Sequence, residues 1–403
     1  MKILHIGKYF APFSGGVENY QRDAMIALAG RGVQSAALVH RHELSISGSE
    51  ETLKVHGLDL PVVKTATWAK LLFTPISPGF PWRLSRLIKS FKPDILHLHM
   101  PNPSAFWALL SPTARRLPWV VHWHADVITD QHDWKMKFFY QIYRHFERAL
   151  LKRSAAIVAT SPPYLASSQP LRPWLEKCRV VPLGVDSTRL VDIDPAANGE
   201  TACAENSPHQ NSGADTALRV LAIGRLTYYK GFRYLIEAAA LAPHIRVHIV
   251  GAGDQEHDLK ALSTSLNLGE QVIFHGVLDD RQLALQISLC DCICLPSVER
   301  TEAFGMVLLE AQSFAKATVI SEVPGSGMGW IVDDSVTGLK VPPADAQALA
   351  GAFQKLDKDR EVLKEMGRNG KLKFEKEFEI NQAIVGLISV YQQVLQARRT
   401  QDE

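Results

Sequence analysis

Residues 290–316, CDCICLPSVERTEAFGMVLLEAQSFAK, gather the residue types best suited to chemistry on an anionic group. Cys292, Ile293, Cys294 and Leu295 are apolar and β-compatible, whereas Met306, Leu309, Glu310 and Ser313 recur at helical spacing. The period therefore changes from two to 3.6 across Glu302-Ala303-Phe304-Gly305, which predicts strand, loop and helix. A helix starting there offers amides without intrahelical partners at the positive end of its dipole, so a phosphate fits above Phe304, Gly305, Met306 and Val307. Gly305 allows close approach of the backbone. Glu302, in the loop, can point at whatever hangs from that phosphate, and Glu310, further into the helix, can accept hydrogen bonds from a vicinal diol such as a ribose. With 42 acids in 403 residues such a pair arises easily by chance; the strand-loop-helix setting is what gives it weight.

The stretch Glu302-Ala303-Phe304-Gly305-Met306-Val307-Leu308-Leu309-Glu310, with Pro296-Ser297 before it, resembles the E-x7-E signature of retaining family-4 glycosyltransferases. Residues 331–345, IVDDSVTGLKVPPAD, and 224–231, GRLTYYKG, resemble two further segments of that family, and the likeness runs from GGVE at 15–18 to the last helix. The resemblance implies a GT-B fold, two Rossmann-like doubly wound parallel-sheet α/β domains facing a cleft. It makes Arg225 and Lys230 a diphosphate clamp, since an Arg fork and a Lys point charge neutralise a departing nucleotide without a metal. It places His124, with Asp126 at a strand end, beside the donor sugar, and the Gly15-Gly16 loop over the donor phosphates. It gives the nucleobase to the loop carrying Leu278 and Asp280, by the Leu278 backbone and the Asp280 carboxylate. Glu302 then holds sugar hydroxyls, and the leaving phosphate takes the acceptor's proton.

The elements that must position these groups follow from apolar patterning. Lys2 to Tyr9 reads as a strand, 11–16 as a glycine loop, and Val17 to Ala29 as a helix burying Val17, Tyr20, Ala24, Met25 and Leu28. No G-x-G-x-x-G is present, so a nicotinamide is not expected. Two buried-strand patterns, 94–99 and 120–126, carry paired histidines; the loops lack the rest of a zinc ligand set, so no metal is expected. Residues 192–217 are polar and poor in large apolar groups, and read as a flexible loop. A second domain opens at Arg219 to Ile223, its strands and helices alternating as a parallel sheet requires. The expected organisation is an acceptor-binding domain over 1–186, a linker over 187–217 and a donor-binding domain over 218–379. A C-terminal helix over about 380–403 should pack back on the first domain. After Glu310 the sequence has Phe314-Ala315-Lys316-Ala317 where the family ends its helix with glycine and proline, which leaves the helix end without its usual stop.

Composition bounds the rest. Hydrophobic residues make up 46% of the chain, and no run approaches the about 20 apolar residues needed to span a bilayer. Met1-Lys2 leads directly into a strand rather than a signal sequence, and five cysteines, three of them in 290–294, do not read as a disulfide framework, so a cytoplasmic protein is expected. Net charge is +2, but residues 1–186 hold 23 Lys and Arg against 13 Asp and Glu, and the remainder 21 against 29. A basic first half suits something anionic. Residues 73–92 and 134–153 mix aromatic and basic residues at helical spacing, a pattern that serves either a core helix or one lying on the inner face of the plasma membrane. No nucleic-acid motif accompanies them.

The expected activity is transfer of a hexose from a nucleotide-sugar to a lipid-linked (polyprenyl-diphosphate) or saccharide acceptor in polysaccharide biosynthesis, without a cofactor. GDP-mannose is the first choice of donor, from the PGSGMGW stretch and the resemblance to mannosyltransferases, and a UDP-hexose the alternative. A reading of another class, a non-catalytic sugar-nucleotide-binding scaffold, stays open. An epimerase or a phosphorylase on the same architecture is disfavoured, the latter for want of a Schiff-base lysine context.

Overall fold

The computed structural model describes residues 1–12, 15–71, 74–127, 134–191 and 217–402. It divides into two compact units, Met1–Val185 with Phe378–Glu403, and Asp186–Glu377. Among the described residues, no helix is long and apolar enough to cross a membrane.

The first unit is built on an eight-stranded sheet. Its central strands, Lys2–Ile6, Ile95–Met100 and Trp119–Trp123, are almost wholly buried and pair in parallel. Near-continuous apolar runs of this kind belong to sheets covered on both faces. The one antiparallel partner, Ser49–Val55, lies at the edge and is mostly exposed. Helix Gly16–Gly30 buries Tyr20, Ala24, Met25 and Leu28, and packs against the C-terminal helix Ile380–Asp402. That helix is tied down at its start, where Ile380 N donates to Val185 O at 3.1 Å.

In the second unit six parallel strands run in the spatial order Val272–Gly276, Ile245–Val250, Leu218–Ile223, Cys292–Leu295, Ala317–Ser321, Gly338–Val341. This is the doubly wound order in which the chain reverses direction across the sheet between the first and fourth strands, and ligands bind beyond the carboxyl ends of strands at such a switch point. The two segments leaving those ends are 224–231 and 296–305. In the first unit the corresponding switch falls between Lys2–Ile6 and Ile95–Met100.

Three expectations need correction. Residues 188–191, read as linker, form the short helix Thr188–Val191, its first amide held by Asp186 Oδ1 at 2.9 Å; residues 192–216 lie outside the described residues. The 73–92 stretch is not one helix: Thr74–Ile76 is a strand and only Phe80–Phe91 is helical, with Pro81 near its start. Phe80, Leu84, Leu87, Ile88 and Phe91 of that helix are core, so its apolar stripe covers the sheet and not a membrane. The missing glycine stop after Glu310 does not prolong the helix, because Ala315 itself takes the left-handed conformation at φ 53° and the next strand begins at Ala317.

Candidate active site

At the second unit's switch point, strand Leu218–Ile223 leads through Gly224 and Arg225 into the turn Tyr228–Lys230. Gly231 closes that turn at φ 68°, and a Cβ there would lie 2.0 Å from the Pro296 carbonyl oxygen, so only glycine lets the two segments meet. Val298 N donates to Tyr229 O at 2.8 Å across the same junction. The consequence is a close ion pair: Lys230 Nζ lies 2.5 Å from Glu302 Oε2, each side chain only about an eighth exposed. Ser297 Oγ donates to the same carboxylate oxygen at 3.3 Å. Burial, the largest single influence, works to lower the Lys230 pKa, but Glu302, through its charge and hydrogen bond, and Tyr229 together outweigh it and the net shift is upward, which keeps the ammonium charged. Arg225 is exposed, and its charge acts on Lys230 in the opposite sense. Two cations thus sit together at the strand end with one carboxylate to steady the buried one.

The loop bearing Glu302 is held from behind. Ser326 Oγ donates to the Glu302 carbonyl at 2.5 Å and Gly327 N to Ala303 O at 2.8 Å, so the glycine-rich turn after Pro324 fixes the approach to the helix. The Phe304 ring is buried edge-on to Trp330, with centroids 6.5 Å apart. Gly305 precedes helix Met306–Ser313 at φ 92°, where a side chain would be strained, and among the described residues no side chain caps the helix. The first amides of that helix, at the positive end of its dipole, are therefore left without a side-chain acceptor.

Glu310 and Asp280, assigned from the sequence to a nucleoside, are joined by a residue the sequence did not single out. Arg189, on helix Thr188–Val191, reaches Asp280 Oδ2 at 3.3 Å and Glu310 Oε1 at 3.6 Å. Asp280 is the first residue of helix Asp280–Leu289, after the Asp279 capping box. Leu278 is half-buried and packs on the cluster formed by Leu221, Ile223, Val250 and Ile293. The structure thus groups Arg225, Lys230, Glu302 and the Gly305 helix start, and separately groups Asp280, Glu310 and Arg189. Nothing in the composition of the polar stretch around it marks Arg189.

In the first unit, Gly15 lies just before its helix, and a Cβ there would meet Glu18 Oε2 at 2.1 Å; Gly16 is the first helical residue. Phe13 and Ser14, next to them, lie outside the described residues. His124 follows strand Trp119–Trp123, its amide donating to Met100 O at 2.9 Å. Asp126 braces this turn, accepting from Trp123 Nε1 at 2.7 Å and from Ser168 Oγ at 2.6 Å. His124 belongs to a larger group: His5, His97, His99, His122 and His124 lie on one face of the sheet, all buried. Ring nitrogens of two overlapping triplets, His5/His97/His99 and His99/His122/His124, lie within 4.8 Å of one another. Three nitrogen pairs face each other at 2.9–3.2 Å as hydrogen bonds, which engages lone pairs that a metal would otherwise use. Sequence spacing found the two histidine pairs but not His5, which joins them through the register His5 to His97.

Comparison with known proteins identifies the family. Residues 15–184 match the family described as "Glycosyl transferase 4-like domain" and residues 205–373 the family described as "Glycosyl transferases group 1". The chain is 30% identical to the O-antigen chain mannosyltransferase C of Escherichia coli over 404 residues, covering 99% of this chain and all of that protein. It is 28% identical to the D-rhamnosyltransferase WbpZ of Pseudomonas aeruginosa, over 94% of this chain and 92% of that one. Among solved structures, a sucrose-phosphate synthase from Thermosynechococcus elongatus superposes with a TM-score of 0.77 at 22% identity, covering 98% of this chain and 99% of that one. Anabaena HepE in complex with UDP gives 0.67 at 20%, covering 99% of this chain and all of that one.

Proposed function

Because the chain belongs to the GT-B glycosyltransferases of the polysaccharide-biosynthesis kind, we propose that it moves mannose from GDP-mannose to a lipid-linked or saccharide acceptor with retention at the anomeric carbon. The observation that carries this reading is the Lys230–Glu302 pair set beside the uncapped start of helix Met306–Ser313 at a topological switch point. The donor's diphosphate would lie on Arg225, Lys230 and the first amides of that helix. As the sugar–phosphate bond breaks and an oxocarbenium-like sugar forms, these groups stabilise the charge gathering on the departing phosphate, so no metal is required. Glu302 orients sugar hydroxyls while holding Lys230 charged. The leaving phosphate oxygen takes the proton of the acceptor hydroxyl on the same face of the sugar, which keeps the anomeric configuration. Glu310 would accept the ribose diol and Asp280 the guanine edge, each exchanging its Arg189 contact for the nucleoside. The choice of mannose is supported by the 30% identity to a mannosyltransferase.

A lipid-linked acceptor would bring the enzyme to an anionic membrane surface. Helix Trp134–Arg153 supports this, since Phe138, Phe139, Ile142 and Phe146 are all at least two-fifths exposed among Lys137, Arg144 and Arg148.

A thermal-shift panel tests the donor: GDP should raise the midpoint and UDP should not. The reverse result transfers the proposal to a UDP-hexose, and no shift with either nucleotide overturns the donor site. Slow release of free sugar from the donor by the purified protein separates an enzyme from a scaffold that only binds.

A further inference from the structure

The five buried histidines of the first unit form two hydrogen-bonded chains. In one, His5 Nδ1 faces His99 Nε2 at 3.1 Å and His99 Nδ1 faces His124 Nε2 at 2.9 Å. In the other, Tyr391 from the C-terminal helix meets His97 Nδ1, and His97 Nε2 faces His122 Nδ1 at 3.2 Å. The sheet dictates this arrangement. His5 is in register with His97 and His99 with His122, and residues two apart on a strand share a face, so all five rings project from the same side. The rings of His99 and His124 lie nearly parallel, 7° apart.

Neutral imidazole carries one proton on one of two nitrogens. Burial pushes His5 and His124 down to about 3 and His99 well below its ordinary value, so each ring in the first chain holds a single proton at neutral pH. Each nitrogen–nitrogen contact tolerates one proton, since none leaves two lone pairs opposed and two brings hydrogens together. The chain therefore has two states. Either His5 Nε2 carries the outermost proton and His124 Nδ1 is bare, or His5 Nε2 is bare and His124 Nδ1 carries it. Both end atoms are buried without a hydrogen-bond partner among the described residues. An orphaned N–H is rarer in folded proteins than an orphaned acceptor. His5 is fully buried at 0% exposure, whereas His124 retains 5% and stands just past the carboxyl end of strand Trp119–Trp123, so the surplus N–H is assigned to the His124 end.

We propose that His5 and His99 are positioning residues that fix the tautomer of His124, so that its Nδ1 carries the proton and offers an N–H to a saccharide oxygen. The transferase reading above supplies what His124 meets; the placement of the proton follows from the chain alone. His99 acts through His124, and its loss redirects one hydrogen bond at the site rather than removing a reacting group.

The test uses the full chain labelled with 15N-histidine and two-bond 1H–15N correlation spectra, with His124 assigned through His124→Gln. Wild type should show His124 as the Nδ1–H tautomer, the less common one in water. In His99→Leu the ring should shift toward Nε2–H, with kcat falling roughly tenfold, the kinetic equivalent of one misdirected hydrogen bond, and KM little changed. His99→Asn, whose amide nitrogen can stand in for Nδ1 as donor to His124, should keep both the tautomer and most of the turnover. An Nε2–H tautomer in wild type overturns the proposal, as does an unchanged tautomer in folded His99→Leu. If that variant fails to fold, the wild-type spectrum decides. The spectrum needs no donor, so an inactive wild-type protein with Nδ1–H His124 counts against the transferase reading and for this one, and an active protein with Nε2–H does the reverse.

Discussion

The two units solve the same topological problem with opposite chemistry. Each has a parallel sheet whose chain direction reverses beside its first strand. In the second unit the strand interiors on both sides of the switch are apolar, with Leu221, Ile223 and Ile293 on one face and Val220, Ala222, Cys292 and Cys294 on the other. Its charges stand on the loops and helices beyond, paired as Lys230 with Glu302 and Arg189 with Asp280 and Glu310. In the first unit the polar groups are inside the sheet's own cover, five histidines kept neutral by burial and satisfied mostly by one another. A polar group near a strand end can thus be kept charged at the rim with a counter-charge, or uncharged within the core in a hydrogen-bond chain. The first arrangement suits binding an anion, the second suits presenting one directed N–H.

The largest expected effect tests the rim. Lys230→Ala removes the cation proposed to face the developing phosphate charge, and turnover with the true donor should fall about 100- to 1000-fold, as for loss of a preorganised transition-state donor. Steady-state kinetics with donor and acceptor supplied checks it. A drop of this size cannot come from the first unit's chain, where a single tautomer change costs only roughly tenfold. Near wild-type turnover would mean that the rim charges of the second unit are structural.

Acid separates the units next. The buried histidines have folded pKa values below the ordinary 6.5, so the stability they allow is fully present above about pH 6.5 and is lost as pH falls toward about 3 and the unfolded chain takes up the protons. Five such groups in one sheet make the first unit the more acid-sensitive of the two. His275 of the second unit is lowered too, by burial and then by Arg219, but it is partly exposed and stands for a smaller loss. Hydrogen exchange at pH 7, 5.5 and 4.5 should therefore show strands Ile95–Met100 and Trp119–Trp123 losing protection before Ile245–Val250. Loss in the reverse order would break the comparison.

Glu147 of the first unit sharpens it from the alkaline side. Burial, and then the charge of Asp126, push its carboxyl up to about 8, so the folded state keeps a proton that the unfolded state gives up near pH 4.5. The raised acid makes stability fall between about pH 4.5 and 8 and level off beyond. Glu147→Gln copies the neutral form and should remove that slope, leaving the variant about 1–3 kcal/mol more stable than wild type at pH 8.5. Denaturant melts at pH 5 and pH 8.5 measure the difference, and an equal gain at both pH values would show that packing and not ionisation is responsible.

Sequence patterning made the elements legible where one physical signal governed them. The change of period across Glu302–Gly305 located strand, turn and helix because a buried strand and a half-buried helix must differ in that way. Lys230 could be named because GRLTYYKG resembles a segment of the glycosyltransferase family, and Glu302 because it stands in the turn between that strand and helix and opens the E-x7-E likeness. What stayed hidden depended on distant partners. His5 is one histidine on an apolar strand, and only sheet register brings it to His97 and His99. Arg189 lies in a polar stretch whose composition says nothing of the four-residue helix that aims it. Residues 80–91 have a clear apolar face, but periodicity does not say whether sheet or lipid covers it; Phe80 and Leu84 turned out to be core.

The smallest effect concerns the second unit, at a point where backbone strain rather than ionisation is at work. Helix Met306–Ser313 ends without the glycine that such ends prefer, and Ala315 takes φ 53° in its place. A left-handed conformation costs a residue with a Cβ about 1 kcal/mol. The surroundings hold Ala315 there: Ala315 N and Lys316 N donate to Gln312 O and Ala311 O, and a Cβ on Gly367 would come within 2.0 Å of the Ala315 carbonyl oxygen. Ala315→Gly relieves the strain while keeping those bonds, but gives the unfolded chain more freedom, so the net gain should be about 0.5–1 kcal/mol. Because the strain has no protonation step, the gain should be the same at pH 5 and pH 8.5, unlike that of Glu147→Gln. It should also leave exchange in the histidine-bearing strands unchanged. A pH-dependent gain, or one shared by the first unit, would show that the two units do not draw their stability from separate sources.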